Sequence, residues 1–317
     1  MIIGITGQDG AYLAKFLLSK DYAVFGVTRS IFYSNNFNLI YLNVFDKVKL
    51  LECNILDFSS VFNLIKEFKP DEIYNLAAQS SVGVSFNQPV GTIHYNILSV
   101  LNVLEAIRVL KTNTKCYQAS SSEMFGKVEM LPITHETPMH PVSPYAVSKV
   151  AAHWTVINYR EAYDIFCCSG ILFNHESFLR SNSFFIKKII SESVKNKNEK
   201  KWNLVLGNLN VRRDFGYAPK YVEAMWLMLQ QKIPSDFVIC SGKSYSLYEI
   251  VTYVLNKLDI DSTKLIIDDD LFRPTEINDI YGDNSRAKET LGWDYEYNFY
   301  DVLDILIDEE IKYNKTK

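Results

Sequence analysis

The sequence predicts an α/β protein: a doubly wound parallel sheet carrying a smaller mixed α/β substrate-binding cap domain. Three observations lead there. Short apolar runs alternate with amphipathic stretches through the first half of the chain. A glycine-rich turn, "GITGQDG", joins the first apolar run to the first amphipathic stretch. After residue 173 the alternation loses its regularity. Strands that alternate with helices build a parallel sheet through right-handed crossovers, and segments that break the rhythm are added on top of it.

Taken in order, "MIIGIT" is a strand, and "GAYLAKFLLSK" sets Leu13, Phe16 and Leu17 on one helical face. "YAVFGVTR" is the second strand and "KVKLLEC" the third, reached through a polar loop. "FSSVFNLIKEF" is a helix stopped by Pro70, since proline disfavours helical backbone just before it and lacks the N–H. "EIYNLAA" is the fourth strand, "ILSVLNVLEAIRVL" a long helix with one buried face, and "KCYQAS" the fifth strand. "SPYAVSKVAAHWTVINYREAY" is a helix with Pro144 in its first turn, where the missing donor costs nothing, and "IFCCSGILF" is the sixth strand. Beyond it come a helix near 183–194, a short strand "NLVLG", helix "YVEAMWLMLQQ", strand "DFVICSG", helix "SLYEIVTYVLNKL" and a closing helix near 300–313. The sheet domain is therefore placed at 1–173, with returning segments near 206–245, and the cap at 174–205 and 246–317.

Composition narrows the function classes. The 317 residues are 48% hydrophobic, enough for one large α/β domain with an appendage or for two domains. Lys and Arg number 33 against 37 Asp and Glu, a formal net charge of −4, so no basic excess exists to bind a nucleic-acid backbone. The Lys-rich run "KNKNEKK" at 195–201 reads as a solvated loop. Five cysteines lie mostly inside apolar runs with no C-x-x-C pair, which reads as buried thiols in a reducing compartment. The five histidines show no metal-ligand spacing, so no metal is expected. No apolar stretch is seen to reach the roughly 18 residues of a membrane span, and the start has no signal-peptide pattern. The expectation is a soluble cytoplasmic protein that binds neither nucleic acid nor membrane.

Gly4, Gly7 and Gly10 stand at G-x-x-G-x-x-G spacing between a strand and a helix. Glycine there allows a tight turn and close approach of backbone to a pyrophosphate, which meets the N–H groups at the helix start. This is a dinucleotide site of the Rossmann type. An NAD-binding chain places Asp or Glu at the end of the second strand, but "GVTRS" offers Arg29 and no acid. Arginine there favours a 2′-phosphate and hence NADP, with NAD still possible. The plainer reading of Arg29 is a surface arginine on a loop.

"YAVSK" puts Tyr145 and Lys149 four residues apart, on one face of one helix. The ammonium is expected to lower the phenol's pKa, so that tyrosinate can remove a hydroxyl proton during oxidation. The strand before this helix ends in "YQASSSEMFG", with Glu123 close behind three serines.

Together the glycine turn, the strand-end serines and Tyr-x-x-x-Lys resemble the extended short-chain dehydrogenase/reductase family. Longer words, "EIYNLAAQS", "GILFNHES", "LGNLNVRRDFG", "YVEAMWLMLQ" and "RPTE", span nearly the whole chain and resemble the GDP-mannose 4,6-dehydratase family within it. The resemblance implies a lyase that oxidises C4 of a GDP-manno-sugar, eliminates water across C5 and C6, and returns hydride to C6. Its catalytic set falls on Ser121, Glu123, Tyr145 and Lys149. Tyr145 takes the C4 hydroxyl proton, Ser121 holds the C4 oxygen, and Glu123 removes the C5 proton and helps the C6 hydroxyl leave. The cofactor set falls on Gly4, Gly7, Gln8, Asp9, Gly10, Arg29, Asn54, Ile55, Leu76, Ala77, Ala78, Tyr145, Lys149 and His175. The substrate set falls on Ser80, Ser81, Ser122, Asn174, Lys188, Arg213, Arg273 and Glu276. A homo-oligomer, dimer or tetramer, is also implied. Glu123 read simply caps the turn, and Arg213 and Glu276 read simply fasten the cap by ion pairs.

The chain departs from the family pattern at several places. Ser30 replaces a second arginine after Arg29, in a loop that reaches a neighbouring subunit's cofactor. "NHESFLRSNSFF" lacks an arginine and a glycine of the usual run but retains Arg180; Ser81 replaces a histidine, and Asn54 an adenine-contacting aspartate. These changes on the sugar side leave a heptose open beside a hexose. They also leave open a C4 dehydrogenase, reductase or epimerase of a GDP-manno-sugar, and, in another class, a cofactor-binding sensor without turnover.

Overall fold

The computed structural model describes residues 1–32 and 34–315. Seven strands form the main sheet: β1 (Ile2–Ile3), β2 (Phe25–Thr28), β3 (Lys49–Glu52), β4 (Glu72–Asn75), β5 (Lys115–Ser121), β6 (Cys167–Leu172) and β10 (Phe237–Ile239). Their order is β10-β6-β5-β4-β1-β2-β3, and every pairing is parallel. The winding reverses between β1 and β4, which opens a crevice beyond the carboxyl ends of the strands.

Successive residues of a strand face opposite sides, so Ile2 packs into one core layer and Ile3 into the other. Against the first layer lie α1 (Gln8–Leu18) and α8 (Ala218–Leu229), through Leu13, Leu17, Met225 and Met228. The second is covered by α3 (Phe58–Phe68), α5 (Pro89–Leu110) and α6 (Pro144–Tyr163), through Leu64, Ile65, Val103, Ile107 and Val156. Asp57 caps α3 by accepting from the Ser59 and Ser60 N–H groups, and Lys69 ends it in the left-handed conformation just before Pro70.

The cap sits over the carboxyl ends. β7 (Asn174–Glu176), β9 (Arg212–Tyr217) and β11 (Ser244–Ser246) form a three-stranded sheet in the order β11-β9-β7. β8 (Leu204–Leu206) pairs with β12 (Leu265–Ile267). Around a third core cluster pack α7 (Phe185–Asn196), α9 (Leu247–Lys257) and α11 (Phe299–Lys315), with Ile189, Ile250, Val254, Phe299 and Leu303 inside. Three short helices, α2 (Phe37–Tyr41), α4 (Val82–Asn87) and α10 (Ser285–Leu291), complete the fold. Within 206–245, α8 and β10 stand with the main sheet, while β9 lies in the three-stranded sheet.

Helix α5 corrects one expectation. It starts at Pro89, earlier than its apolar pattern suggests, and its 22 residues include a window of mean hydropathy 1.3, long and apolar enough to cross a membrane. Its apolar side is instead a core face, packed between α3 and α6.

Candidate active site

The functional side chains converge where β5, α6 and the cap meet. β5 ends at Ser121, whose Oγ accepts from the Glu123 N–H at 3.3 Å and so starts the single helical turn Ser122–Met124. Ser143 caps α6 by accepting from the Ala146 N–H at 3.1 Å, and Pro144 occupies its first turn. That start aims Tyr145 and Lys149 at the strand end; they are only 7% and 4% exposed. The backbone of α6 is tied down by Ser148, which donates to the Tyr145 carbonyl at 2.6 Å and accepts from Asn96 at 2.9 Å.

A cavity of about 330 Å³ opens over these groups. Ser121, Ser122, Glu123, Tyr145 and Lys149 form its floor. Ser80 and Ser81 line it from the loop after β4, and Asn174 and His175 from β7. Ser81 also caps α4, accepting from the Val84 N–H at 3.2 Å. Arg213, Arg273 and Glu276 line the cap side. They are fastened as well as exposed to the cavity: Glu276 Oε1 lies 3.1 Å from Arg213 Nη2 and 3.6 Å from Arg273 Nη1.

A second cavity of about 690 Å³ adjoins the first along the glycine turn. Gly4, Gly7, Gln8, Asp9, Gly10, Arg29, Ile55, Leu76, Ala77 and Ala78 all line it. Two of the glycines are obligatory: Gly4 has φ +88°, and a Cβ on Gly10 falls 2.4 Å from the Gly4 carbonyl oxygen. The turn is also stitched to β7. Asp9 accepts from His175 Nε2 at 2.9 Å, Gln8 donates to the His175 carbonyl at 3.1 Å, and Ser177 donates to Gln8 at 2.8 Å.

Electrostatics follow from burial. Burial pushes the Tyr145 phenol up to about 12, against a hydrogen bond from Ser121 that draws it down. Burial takes Lys149 down to about 8. Lys149 Nζ donates to the Ala119 carbonyl at 2.8 Å and lies 5.8 Å from the Tyr145 ring centre. The expected net lowering of the phenol is therefore not what this arrangement produces: burial outweighs the pull of Ser121, and the phenol stays above its ordinary value. Burial alone would raise the Asp9 carboxyl, but His175 and Arg180 outweigh it and hold Asp9 at about 2.

Two expected residues lie outside both cavities. Asn54 is exposed, and its side-chain oxygen accepts from the Leu56 N–H at 3.2 Å, a local turn contact that leaves Cys53 and Ile55 in the wall. Lys188 donates from Nζ to the Val205 carbonyl at 2.9 Å, so it fastens α7 to β8. In turn the structure adds residues that the motifs alone did not single out. Arg180 lines both cavities, Glu176 and Asn208 line the smaller, and Tyr95 the larger. A readable signal existed for Glu176: in an extended "NHE" it shares a face with Asn174.

Comparison with known proteins matches this geometry to a lineage. The sequence pattern of the family described as GDP-mannose 4,6 dehydratase matches residues 1–306. GDP-mannose 4,6 dehydratase 2 of Arabidopsis thaliana is 43% identical over 326 residues, covering 99% of this chain and 87% of that protein. GDP-mannose 4,6 dehydratase of Dictyostelium discoideum is 40% identical over 344 residues, covering 99% and 96%. Among solved structures, dTDP-glucose 4,6-dehydratase of Streptomyces venezuelae, with NAD and TYD bound, superposes with a TM-score of 0.89 at 17% identity, covering 99% of this chain and 97% of that one. UDP-glucose 4-epimerase of Thermotoga maritima gives 0.89 at 18% identity, covering 100% and 99%. Those two share the fold. Agreement in sequence at about this level along nearly the full length carries further than fold, and the chain belongs to the GDP-mannose 4,6-dehydratase family.

Proposed function

We propose that this enzyme converts GDP-mannose to its 4-keto-6-deoxy derivative, a hydro-lyase reaction with no net change of redox state. The observation that carries the reading is Glu123: a carboxylate stands in the same cavity as Ser121, Tyr145 and Lys149. A C4 oxidation needs only the last three. A glutamate beside them adds a base for a carbon acid.

The larger cavity fits a nicotinamide dinucleotide, because the glycine turn that lines it folds tightly enough to present its backbone there, and a Cβ at Gly10 would strike the Gly4 carbonyl oxygen and Ile5 and force the turn open. Bound there, such a cofactor would supply the hydride acceptor for C4 and the hydride donor for C6. Gly4, Gly7, Gln8, Asp9 and Gly10 would hold its diphosphate end, with His175 bracing Asp9 behind them, Leu76 to Ala78 would flank it, and Tyr145 and Lys149 would face its reactive end. Arg29 follows β2 and lines the cavity, whereas the nearby Glu52 is turned to the Ile31 N–H at 3.1 Å, so Arg29 selects NADP over NAD.

On the sugar, Tyr145 takes the C4 hydroxyl proton while Ser121 holds that oxygen. The ketone so formed acidifies the proton on C5. Glu123 removes it, and the same carboxyl, now protonated, delivers the proton to the departing C6 hydroxyl, which leaves as water; when hydride is added at C6, C5 takes back a proton that exchanges with solvent. Arg213 opposes Glu123 across the cavity, and Glu123 works against the downward pull of burial on that arginine. Arg213, with Arg273 and Asn174, takes the diphosphate, and Glu276 accepts from the base or ribose. Ser80, Ser81 and Ser122 hydrogen-bond the hexose. Residues 1–173 with the returning elements α8 and β10 form the dinucleotide-binding part, and the remainder, β9 included, the nucleotide-sugar cap. The enzyme works in the cytoplasm as a homo-oligomer, a reading supported by five buried free cysteines and the family pattern.

A proton NMR time course in D₂O with GDP-mannose tests this. A new methyl signal with deuterium at C5 is the expected result. Consumption of added cofactor without C5 exchange refutes it in favour of simple redox at C4. Glu123→Gln should lower dehydration by about 10²–10⁴-fold, the usual worth of a positioned base, while C4 oxidation persists as reduced cofactor seen by near-ultraviolet absorbance.

A further inference from the structure

β7 alternates its side chains. His175 points to Asp9 and the glycine turn, while Asn174 and Glu176 lie on the other face. Asn174 and Glu176 both line the smaller cavity, yet the reaction above gives Glu176 no task. It is only 3% exposed, and its Oε2 has no hydrogen-bond partner among the described residues. Buried carboxylate oxygens are almost always paired, so an unpaired one in a cavity wall needs a reason. Its neighbour Arg180 does not supply the missing donor. Arg180 Nε stands 3.7 Å from the other oxygen, Oε1, beyond hydrogen-bond range, and that Nε is itself without a partner among the described residues. The Arg180 guanidinium instead lies over the Phe184 ring, 3.7 Å from its centre. Burial raises the Glu176 carboxyl, while Arg180 and His175 work to keep it ionised.

The chemistry of the sugar suggests what is missing. Ser121 and Tyr145 account for the C4 oxygen, Glu123 for C5 and C6, and the diphosphate occupies C1. The C2 and C3 hydroxyls are left with only the serines Ser80, Ser81 and Ser122 and no charged acceptor, and a hydroxyl is a donor. We propose that Glu176 is a specificity-determining residue: its free oxygen accepts a hydrogen bond from the C2 or C3 hydroxyl of the bound hexose, with Arg180 holding the carboxylate in place. Oε2 is itself enclosed, so this hydrogen bond requires Glu176 to turn about its last side-chain bond, a soft torsion. The inference rests on the GDP-mannose reading of the same site.

Calorimetric titration of the cofactor-loaded enzyme with GDP-mannose and its 2-deoxy and 3-deoxy analogues tests it. One analogue should bind wild type about 10- to 100-fold more weakly than GDP-mannose, as expected for losing a hydrogen bond to a charged group. Glu176→Ala should bind GDP-mannose more weakly by a similar factor and no longer distinguish that analogue. Glu176→Gln, which keeps a neutral acceptor, should fall between. Equal binding of all three sugars by wild type overturns the assignment without any variant, as does full discrimination by Glu176→Ala. Failure of the dehydration test with discrimination intact removes the reaction and leaves Glu176 in its role; failure of GDP-mannose to bind at all removes both.

Discussion

His175 faces an acceptor with each ring nitrogen, the Phe173 carbonyl at 2.7 Å and the Asp9 carboxylate at 2.9 Å. Asp9, held at about 2 against an ordinary 3.8, is the better-placed reporter of that pair. A carboxyl with a depressed folded-state pKa stabilises the fold above its unfolded value, and the contribution is lost as pH falls through the folded one. Asp9→Asn should therefore cost about 2 kcal/mol at neutral pH, with wild type and variant converging between pH ~4 and ~2; urea unfolding across that range measures it. Residue identity was legible where a motif dictates geometry. Tyr145 and Lys149 share a helix face, and a strand end must expose Ser121. Asn54 and Lys188 show the limit, since both have local acceptors or donors that claim the side chain before a ligand can. Arg180 escaped the site set because its position, touching both cavities, is set by the chain's path after β7 rather than by spacing.

At the scale of elements, helix starts carry the chemistry. The Ser143 cap fixes the first turn of α6, and Tyr145 sits within that turn. Ser143→Ala should destabilise the protein by about 1 kcal/mol in denaturant unfolding, as lost caps do, and should lower kcat through Tyr145 while leaving the affinity for GDP unchanged. Long elements of the first half were readable because 3.6-residue and 2-residue periodicities persist across them. Of the cap strands only β8, inside "NLVLG", was readable. β7, β11 and β12 are three residues each, too short for any period to register, and β9, "RRDFGY", opens on two arginines that mask its pairing with β7 and β11. What orders them is tertiary: the Asp214 carboxylate accepts from the Ser241, Gly242 and Gly282 N–H groups, drawing two loops to β9.

For the whole molecule, the sharpest expectation concerns cofactor choice. A ligand that binds only the folded chain stabilises it by an amount set by concentration over Kd, about 2.7 kcal/mol at a hundredfold excess. NADP should therefore raise Tm more than NAD at equal concentration, and Arg29→Ala should erase the difference; equal shifts in wild type would remove Arg29 as the selector. Fold class and the winding of the first six strands were legible from alternation alone. The seventh strand's place beside β6 was not, because nothing in "DFVICSG" states its neighbour.

That seventh strand has a temporal consequence. β6 is buried along its whole length, and the partner that closes its outer edge, β10, is separated from it in sequence by β7, α7, β8, β9 and α8. During synthesis the ribosome releases six strands of the sheet well before the one that seals it. Until residue 239 emerges, the nascent chain carries an open, apolar edge of the kind that recruits other strands. A chain cut just before Phe237 should thus be a client for chaperones rather than a smaller working enzyme, even though its glycine turn, Tyr145 and Glu123 have all been made.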